Sequence, residues 1–169
     1  MSKIAILAEE MYQELELWYP LFRLKEAGHA VVTLGAGKPS YKSKLGYEVK
    51  VDADVKEVKA ADFDGVIVPG GYAPDYMRRH EAMVKLVADL FKKGKLVGAI
   101  CHGLWVPASA GILKGKKCTC FFSIKDDVVN AGAKYVDEEV VVDGNLITSR
   151  KPDDLPAFCR AIVTALGKA

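Results

Sequence analysis

The segment Leu96-Val97-Gly98-Ala99-Ile100-Cys101-His102-Gly103 brings together a nucleophile, a base and the small residues that a sharp turn needs. An apolar run ends abruptly in Cys101, and a helix-forming stretch at 104–111 follows it and closes at Gly111. A short buried strand that breaks into a helix lifts its turn residue above the sheet's carboxyl edge, where open α/β sheets bind ligands. A cysteine in that position meets free N–H groups and the positive end of the next helix, both of which favour thiolate over thiol. Gly98, Ala99 and Gly103 leave room for the crowded backbone of a nucleophile elbow. Most free cysteines are buried packing residues, but packing does not call for the His-Gly that follows this one. The expected chemistry is attack by the Cys101 sulfur on a carbonyl carbon.

Such a nucleophile needs a base and an oxyanion site. The chain has three histidines. His29 opens a strand, and His80 lies in the charged stretch Met77-Arg78-Arg79-His80-Glu81. No histidine follows His102, whereas a glutamine amidotransferase with this kind of elbow would want a His and an acid well downstream. A Cys–His pair must therefore use His102, with an acid such as Asp75 orienting the ring; otherwise His102 serves mainly through its backbone N–H. Gly70 and Gly71 end another buried run, so Gly70, Gly71 and His102 are the candidate oxyanion hole. A tight turn would explain Gly-Gly about equally well on spacing, but the pair falls on the expected ligand edge. It lacks the dinucleotide fingerprint, which argues against a nicotinamide cofactor. Cys118 and Cys120 share a face of an expected strand with no histidine nearby, a poor zinc arrangement. They and Cys159 are expected to pack, and no cofactor or metal is expected.

The elements that must hold these groups alternate between strand and helix. Strands are expected at 3–8, 29–35, 63–69 and 95–100, with an edge strand or hairpin arm at 46–51. A helix at 14–27 carries Leu15, Trp18, Leu21, Phe22 and Leu24 at helical spacing, has Pro20 inside it and ends at Gly28. Met83, Leu86, Val87, Leu90 and Phe91 form the core stripe of another helix. A strand at 118–122, a helical turn at 127–131 and a hairpin around Asp143-Gly144-Asn145 follow. A last helix starts near Asp153-Asp154. Continuous apolar strands in this alternation give an α/β sandwich with a mostly parallel sheet.

Bulk properties narrow the field. The chain has 169 residues, enough for one well-cored domain. Its 24 basic and 22 acidic residues leave a net charge of +2, no footprint for nucleic acid. The basic segment 38–44 is expected to be a solvated loop. No apolar run spans a bilayer and no signal peptide precedes the first strand, so a cytoplasmic protein without membrane contact is expected.

The chain resembles the PfpI family of intracellular cysteine proteases, within the superfamily of the Parkinson's-associated deglycase and related to the glutamine amidotransferase-like folds. The likeness runs through Glu16-Leu17-Trp18-Tyr19-Pro20, Arg23 to His29, Pro69-Gly70-Gly71, Ala99 to Gly103, Ile124-Lys125-Asp126-Asp127, Asn130-Ala131-Gly132 and Val140 to Asn145. It implies a flavodoxin-like three-layer sandwich and a nucleophile, Cys101, flanked by His102. It further implies that Asp75, in place of the family's Glu, reaches His102 from a neighbouring subunit. A homo-oligomer, at least a dimer and up to a hexamer, follows from the resemblance, and the segment 72–77 suits an interface or a substrate-lining loop. The family's first loop carries Phe-Glu-Asp, whose Glu bonds the sulfur; matched to Tyr12-Gln13-Glu14, this makes Gln13 and Glu14 the thiol-orienting candidates, with Glu10 as a substitute. An amide at Gln13 cannot exchange protons. Expected activities are hydrolysis of peptides, then glyoxalase or deglycase work on methylglyoxal and its adducts, and thirdly redox sensing or chaperoning by Cys101 without turnover.

Overall fold

A computed structural model describes residues 1–167. In chain order the elements are β1 (Lys3–Leu7), α1 (Glu14–Glu26), β2 (Ala30–Gly35), β3 (Ser40–Lys42), β4 (Glu48–Lys50), β5 (Ala53–Asp54), β6 (Gly65–Val68), α2 (Ala73–Met77) and α3 (Glu81–Lys92). There follow β7 (Leu96–Ile100), α4 (Trp105–Ser109), β8 (Lys117–Cys118), α5 (Lys125–Asn130), β9 (Lys134–Tyr135), β10 (Val140–Asp143), β11 (Leu146–Ser149) and α6 (Leu155–Leu166). The main sheet runs β10-β11-β7-β6-β1-β2-β5 and is parallel except for β10, which pairs antiparallel with β11 through the turn at Gly144. Helices α1 and α6 pack together beside this sheet, as do α3 and α4. The fold is the expected flavodoxin-like α/β sandwich. Strands β1, β6 and β7 are adjacent and almost wholly buried, so the loops after them converge on one edge.

Close packing dictates several sequence choices. A Cβ on Gly98 would stand 2.7 Å from Ile67 and 3.2 Å from Phe158, so the strand before the elbow accepts nothing larger where α6 crosses it. All four cysteines are buried and free, as expected of Cys118, Cys120 and Cys159 as packing residues, and Cys101 lines a cleft.

Local corrections have local causes. The segment 38–44 is not a solvated loop: β3 pairs antiparallel with β4, and Tyr41 is buried beneath the hairpin. Its charged residues alternate with that inward tyrosine, as a strand allows. The apolar stripe of α1 is rotated from the expected one. Leu17, Leu21 and Leu24 face the core together with Glu16 and Pro20, while Leu15 and Phe22 are 55% and 61% exposed. Cys118 ends a two-residue strand and Cys120 lies beyond it, both fully buried. The segment 72–77 is mostly the short helix α2, whose Ala73 and Met77 are buried.

Candidate active site

Cys101 follows β7 directly and adopts φ +61°, a left-handed conformation it shares, among the described non-glycine residues, only with Met11. That conformation costs about 1–2 kcal/mol for a residue with a Cβ, and it points the side chain above the sheet edge. Met11 supplies the other strained corner: its carbonyl accepts from Tyr72 N–H at 2.9 Å, and Gln13 N–H donates to Gly70 O at 3.2 Å. These bonds lace the loop after β1 to the loop after β6. Gly71 takes φ +78° between them, where a Cβ would stand 2.5 Å from both Gln13 N and Met11 O.

The carboxyl group beside the sulfur belongs to Glu16. This corrects the assignment of Gln13 and Glu14 as thiol-orienting residues. Gln13 is the N-cap of α1, and its Oε1 accepts from Glu16 N–H at 2.9 Å. Glu14 turns to the β3–β4 hairpin and accepts from Leu45 N–H at 2.7 Å. Glu10 is likewise engaged elsewhere, with Lys38 and Lys42 N–H. Glu16 is fully buried, and its Oε2 accepts from Gly70 N–H at 2.7 Å. Its Oε1 has no hydrogen-bond partner among the described residues, and the carboxyl lies close enough to the Cys101 thiol for each to shift the other's titration. The signal for Glu16 was present in the sequence, since an acid four residues before Pro20 falls on the face that α1 buries.

Electrostatics sets the protonation states. Burial drives the Glu16 carboxyl up to about 8, against the pull of Gly70 N–H and the thiol, so it is protonated at neutral pH. Burial first, and then the charge on Glu16, push the Cys101 thiol up to about 12; the backbone N–H groups of His102 and Gly71 act in the opposite sense. The expected depression of the thiol by a helix N-terminus is therefore not the main effect. A tight 3₁₀ turn over Cys101–Leu104 intervenes, and α4 is only five residues long. Since Glu16 carries its proton below pH 8, its repulsion is absent there, but burial, the larger cause, still keeps the thiol protonated at rest, and the two N–H groups stabilise the thiolate once a base has taken its proton.

Gly71 and His102 are thus the pair whose N–H groups face the sulfur, whereas the N–H of Gly70 is used by Glu16. This corrects the inclusion of Gly70 in the oxyanion hole. Gly70 is needed for space instead: a Cβ there would lie 2.5 Å from Glu16 Oε2 and 2.8 Å from the Cys101 Cβ.

His102 Nδ1 is 3.3 Å from Cys101 Sγ, and its Nε2 is 3.2 Å from Ser123 Oγ. The ring is packed by Trp105 and Phe121, and burial followed by Lys44 lowers its pKa, so it is neutral near pH 7. Asp75 is not brought to it within the chain; it pairs with Arg79 on the next turn. Ser123, a residue that no motif singles out, takes the position facing Nε2. His80, expected on the surface, is 3.1 Å from the buried Glu9.

A cleft of about 410 Å³ opens onto the sulfur, with Gln13, Glu16, Lys44, Tyr72, His102 and Phe121 in its lining. Among the described residues no cluster of metal-ligating side chains occurs, and no helix is long and apolar enough to cross a membrane.

Together these features define a class: an α/β sandwich with a cysteine elbow, a buried neutral carboxyl against the sulfur and two N–H groups facing it. The DJ-1/PfpI family model matches residues 2–165, and the chain belongs to that family. It is 44% identical over 164 residues to the Pyrococcus furiosus protein named "Deglycase PfpI", covering 97% of this chain and 99% of that one. It is 42% identical over 167 residues to a Bacillus subtilis protein named "Putative cysteine protease YraA", covering 98% of each. A crystal structure of a two-domain protein with DJ-1/ThiJ/PfpI-like and ferritin-like domains from Anabaena variabilis superposes with a TM-score of 0.96 at 45% identity, covering 99% of this chain and 48% of that one.

Proposed function

We propose that the chain is a cysteine-dependent deglycase or glyoxalase that acts on methylglyoxal and on its adducts. The observation that carries this is the buried, protonated Glu16 carboxyl against the Cys101 sulfur. His102 Nδ1, 3.3 Å from Sγ, takes the thiol proton as the sulfur adds to the aldehyde carbon, the C=O π electrons move to oxygen, and that oxygen collects the Glu16 proton to give a hemithioacetal. Glu16, now a carboxylate, takes the C–H proton and returns it to the neighbouring carbon, while the hydroxyl proton passes to that carbon's own oxygen, leaving a thioester. Water hydrolyses the thioester: its hydroxyl goes to the acyl carbon, its proton restores Glu16, and the leaving sulfur recovers its proton from His102, so methylglyoxal plus one water gives lactic acid. The N–H groups of Gly71 and His102 stabilise the oxygen as it gains charge. Gln13 is no obstacle to this chemistry, because the exchangeable proton sits on Glu16. The name of the P. furiosus relative supports the same reading.

Peptide hydrolysis is the second reading, favoured by the 3.3 Å contact of Cys101 with His102 and by the name of the B. subtilis relative. An amine leaving group must be protonated as it departs. A His102 whose pKa is lowered is a weak proton reservoir, and within the chain Asp75 is occupied with Arg79. Addition to an aldehyde makes no such demand.

Methylglyoxal loss, lactate formation, release of methylglyoxal from a glycated amine and cleavage of a fluorogenic peptide are to be measured side by side. The expected result is methylglyoxal conversion that disappears in Cys101→Ser and outpaces peptide cleavage. Conversion at full rate in Cys101→Ser would sink the proposal. Peroxide modification of Cys101 with no turnover of any substrate would leave the redox-sensor role.

We also propose that the chain is a homo-oligomer. Leu15, Phe22, Leu45 and Tyr47, between 55% and 87% exposed, line one apolar groove with Trp18 between α1 and the β3–β4 hairpin. An apolar patch of this kind marks an interface. Leu45→Glu is expected to shift the light-scattering mass toward the monomer; a wild-type protein that is already monomeric refutes the proposal.

A further inference from the structure

Lys44 places a positive charge at the Cys101 cleft, and no carboxylate lies within ion-pairing distance of its ammonium among the described residues. Its main chain is firmly placed. Lys44 N–H donates to Tyr12 O at 3.0 Å, Ser43 Oγ accepts from Tyr47 N–H at 2.8 Å, and Tyr12 Oη donates to Tyr47 O at 2.7 Å. The hairpin tip is thus tied to the same loop that frames the sulfur.

The groups around Lys44 leave its charge available. Gln13 is uncharged. Glu14 is an anion that feels Lys44, but its carboxylate is turned to Leu45 N–H, forms no ion pair with the ammonium and lies outside the cleft lining. Glu16 and His102 are neutral near pH 7, and both feel Lys44 as a cation that holds their pKa values down. Asp127, the acid that His102 senses, accepts from Trp105 Nε1 at 2.9 Å. Among the residues that line the cleft Lys44 therefore carries the one charge at neutral pH, with the carboxylates of Glu14 and Asp127 outside the lining, and a cleft lined by one sign of charge concentrates ligands of the other.

We propose that Lys44 selects carbonyl substrates that carry a carboxylate a few bonds from the reacting carbon, its ammonium holding that group while Cys101 addresses the carbonyl. This rests on Cys101 as nucleophile, as argued under Proposed function, and adds the substrate class. Methylglyoxal adducts of thiols or amines that retain a free carboxylate belong to that class; their amide-capped counterparts do not.

Two alkylating reagents with the same leaving group test it without turnover. Iodoacetate is anionic and iodoacetamide neutral, and each loses iodide to the Cys101 thiolate. Any change in thiolate fraction affects both alike, so the ratio of their rates isolates the charge effect. Lys44→Gln is expected to lower the iodoacetate-to-iodoacetamide ratio roughly three- to fivefold, the size of a partly solvated ion pair, and Lys44→Glu to lower it further. Salt at 0.5 M should bring the wild-type ratio down toward that of Lys44→Gln. In turnover, Lys44→Gln should raise KM for the methylglyoxal adduct of N-acetylcysteine more than for the adduct of its amide. Equal ratios in the wild type and both variants overturn the role of Lys44 and leave the nucleophile standing. Failure of both reagents to label Cys101, with no turnover, overturns the nucleophile and this inference with it.

Discussion

Glu16→Gln is expected to cut methylglyoxal conversion by about 10²–10⁴-fold, the range for loss of a positioned proton donor and acceptor, while Cys101 stays open to iodoacetamide. The amide is nearly isosteric, so it can still accept from Gly70 N–H and fill the same buried space. What it cannot do is give up and retrieve a proton. Conversion within a few-fold of wild type would remove Glu16 from the chemistry. The same variant has a stability signature. The folded carboxyl titrates near 8 against 4.5 for the free group, so from about pH 4.5 upward the folded chain holds a proton that the unfolded chain releases. Stability is then full below pH 4.5, falls as pH rises to about 8, and is flat above that. The total change is on the order of 5 kcal/mol, at 1.36 kcal/mol per pKa unit. Glu16→Gln should flatten this slope, so denaturant midpoints of the two proteins converge at acid pH and diverge at pH 8 in favour of the variant. Parallel midpoint-versus-pH curves would count against a protonated Glu16.

Gly103→Ala is the second large effect expected. A Cβ at this position would stand 2.4 Å from the carbonyl oxygen of Val68 and 3.3 Å from that of Pro69. Both are backbone atoms of β6 and the loop after it, with no rotamer to yield. The elbow must lift away from β6, at a cost of about 3 kcal/mol, the upper part of the overpacking range. For a chain of this size that lowers Tm by roughly 6–12 °C. The displacement would also part Cys101 from Gly71 N–H, so activity should drop more than the folded fraction does. A variant with unchanged melting and unchanged Cys101 labelling would show that the turn is looser than this packing allows.

The elbow was legible because an apolar strand followed by Cys-His-Gly has few other uses, and the parallel sheet was legible from the unbroken apolar runs. Glu16 was not, although its place on α1 offered the clue. Read by composition, Leu15, Trp18 and Phe22 looked like the core stripe; in the structure Leu15 and Phe22 face outward, and the acid turns inward. A helix can be rotated by a residue without changing its sequence pattern much, and only the surface it meets fixes the phase. Ser123 was equally silent, since a lone serine in a loop has no periodicity to betray it. Gly70 and Gly71 were found together, but their division of labour depends on which N–H the Glu16 carboxyl captures.

The order of residues along the chain therefore determined the nucleophile, its strained turn and the edge of the sheet on which it stands, because strand and turn formation depend on neighbours. Tertiary structure decided which acid holds the proton, which N–H groups are left for an oxyanion and which cation overlooks the cleft. Those contacts join residues up to 85 positions apart, Glu16 with Cys101 the widest of them, and their protonation follows from burial that only the assembled core creates.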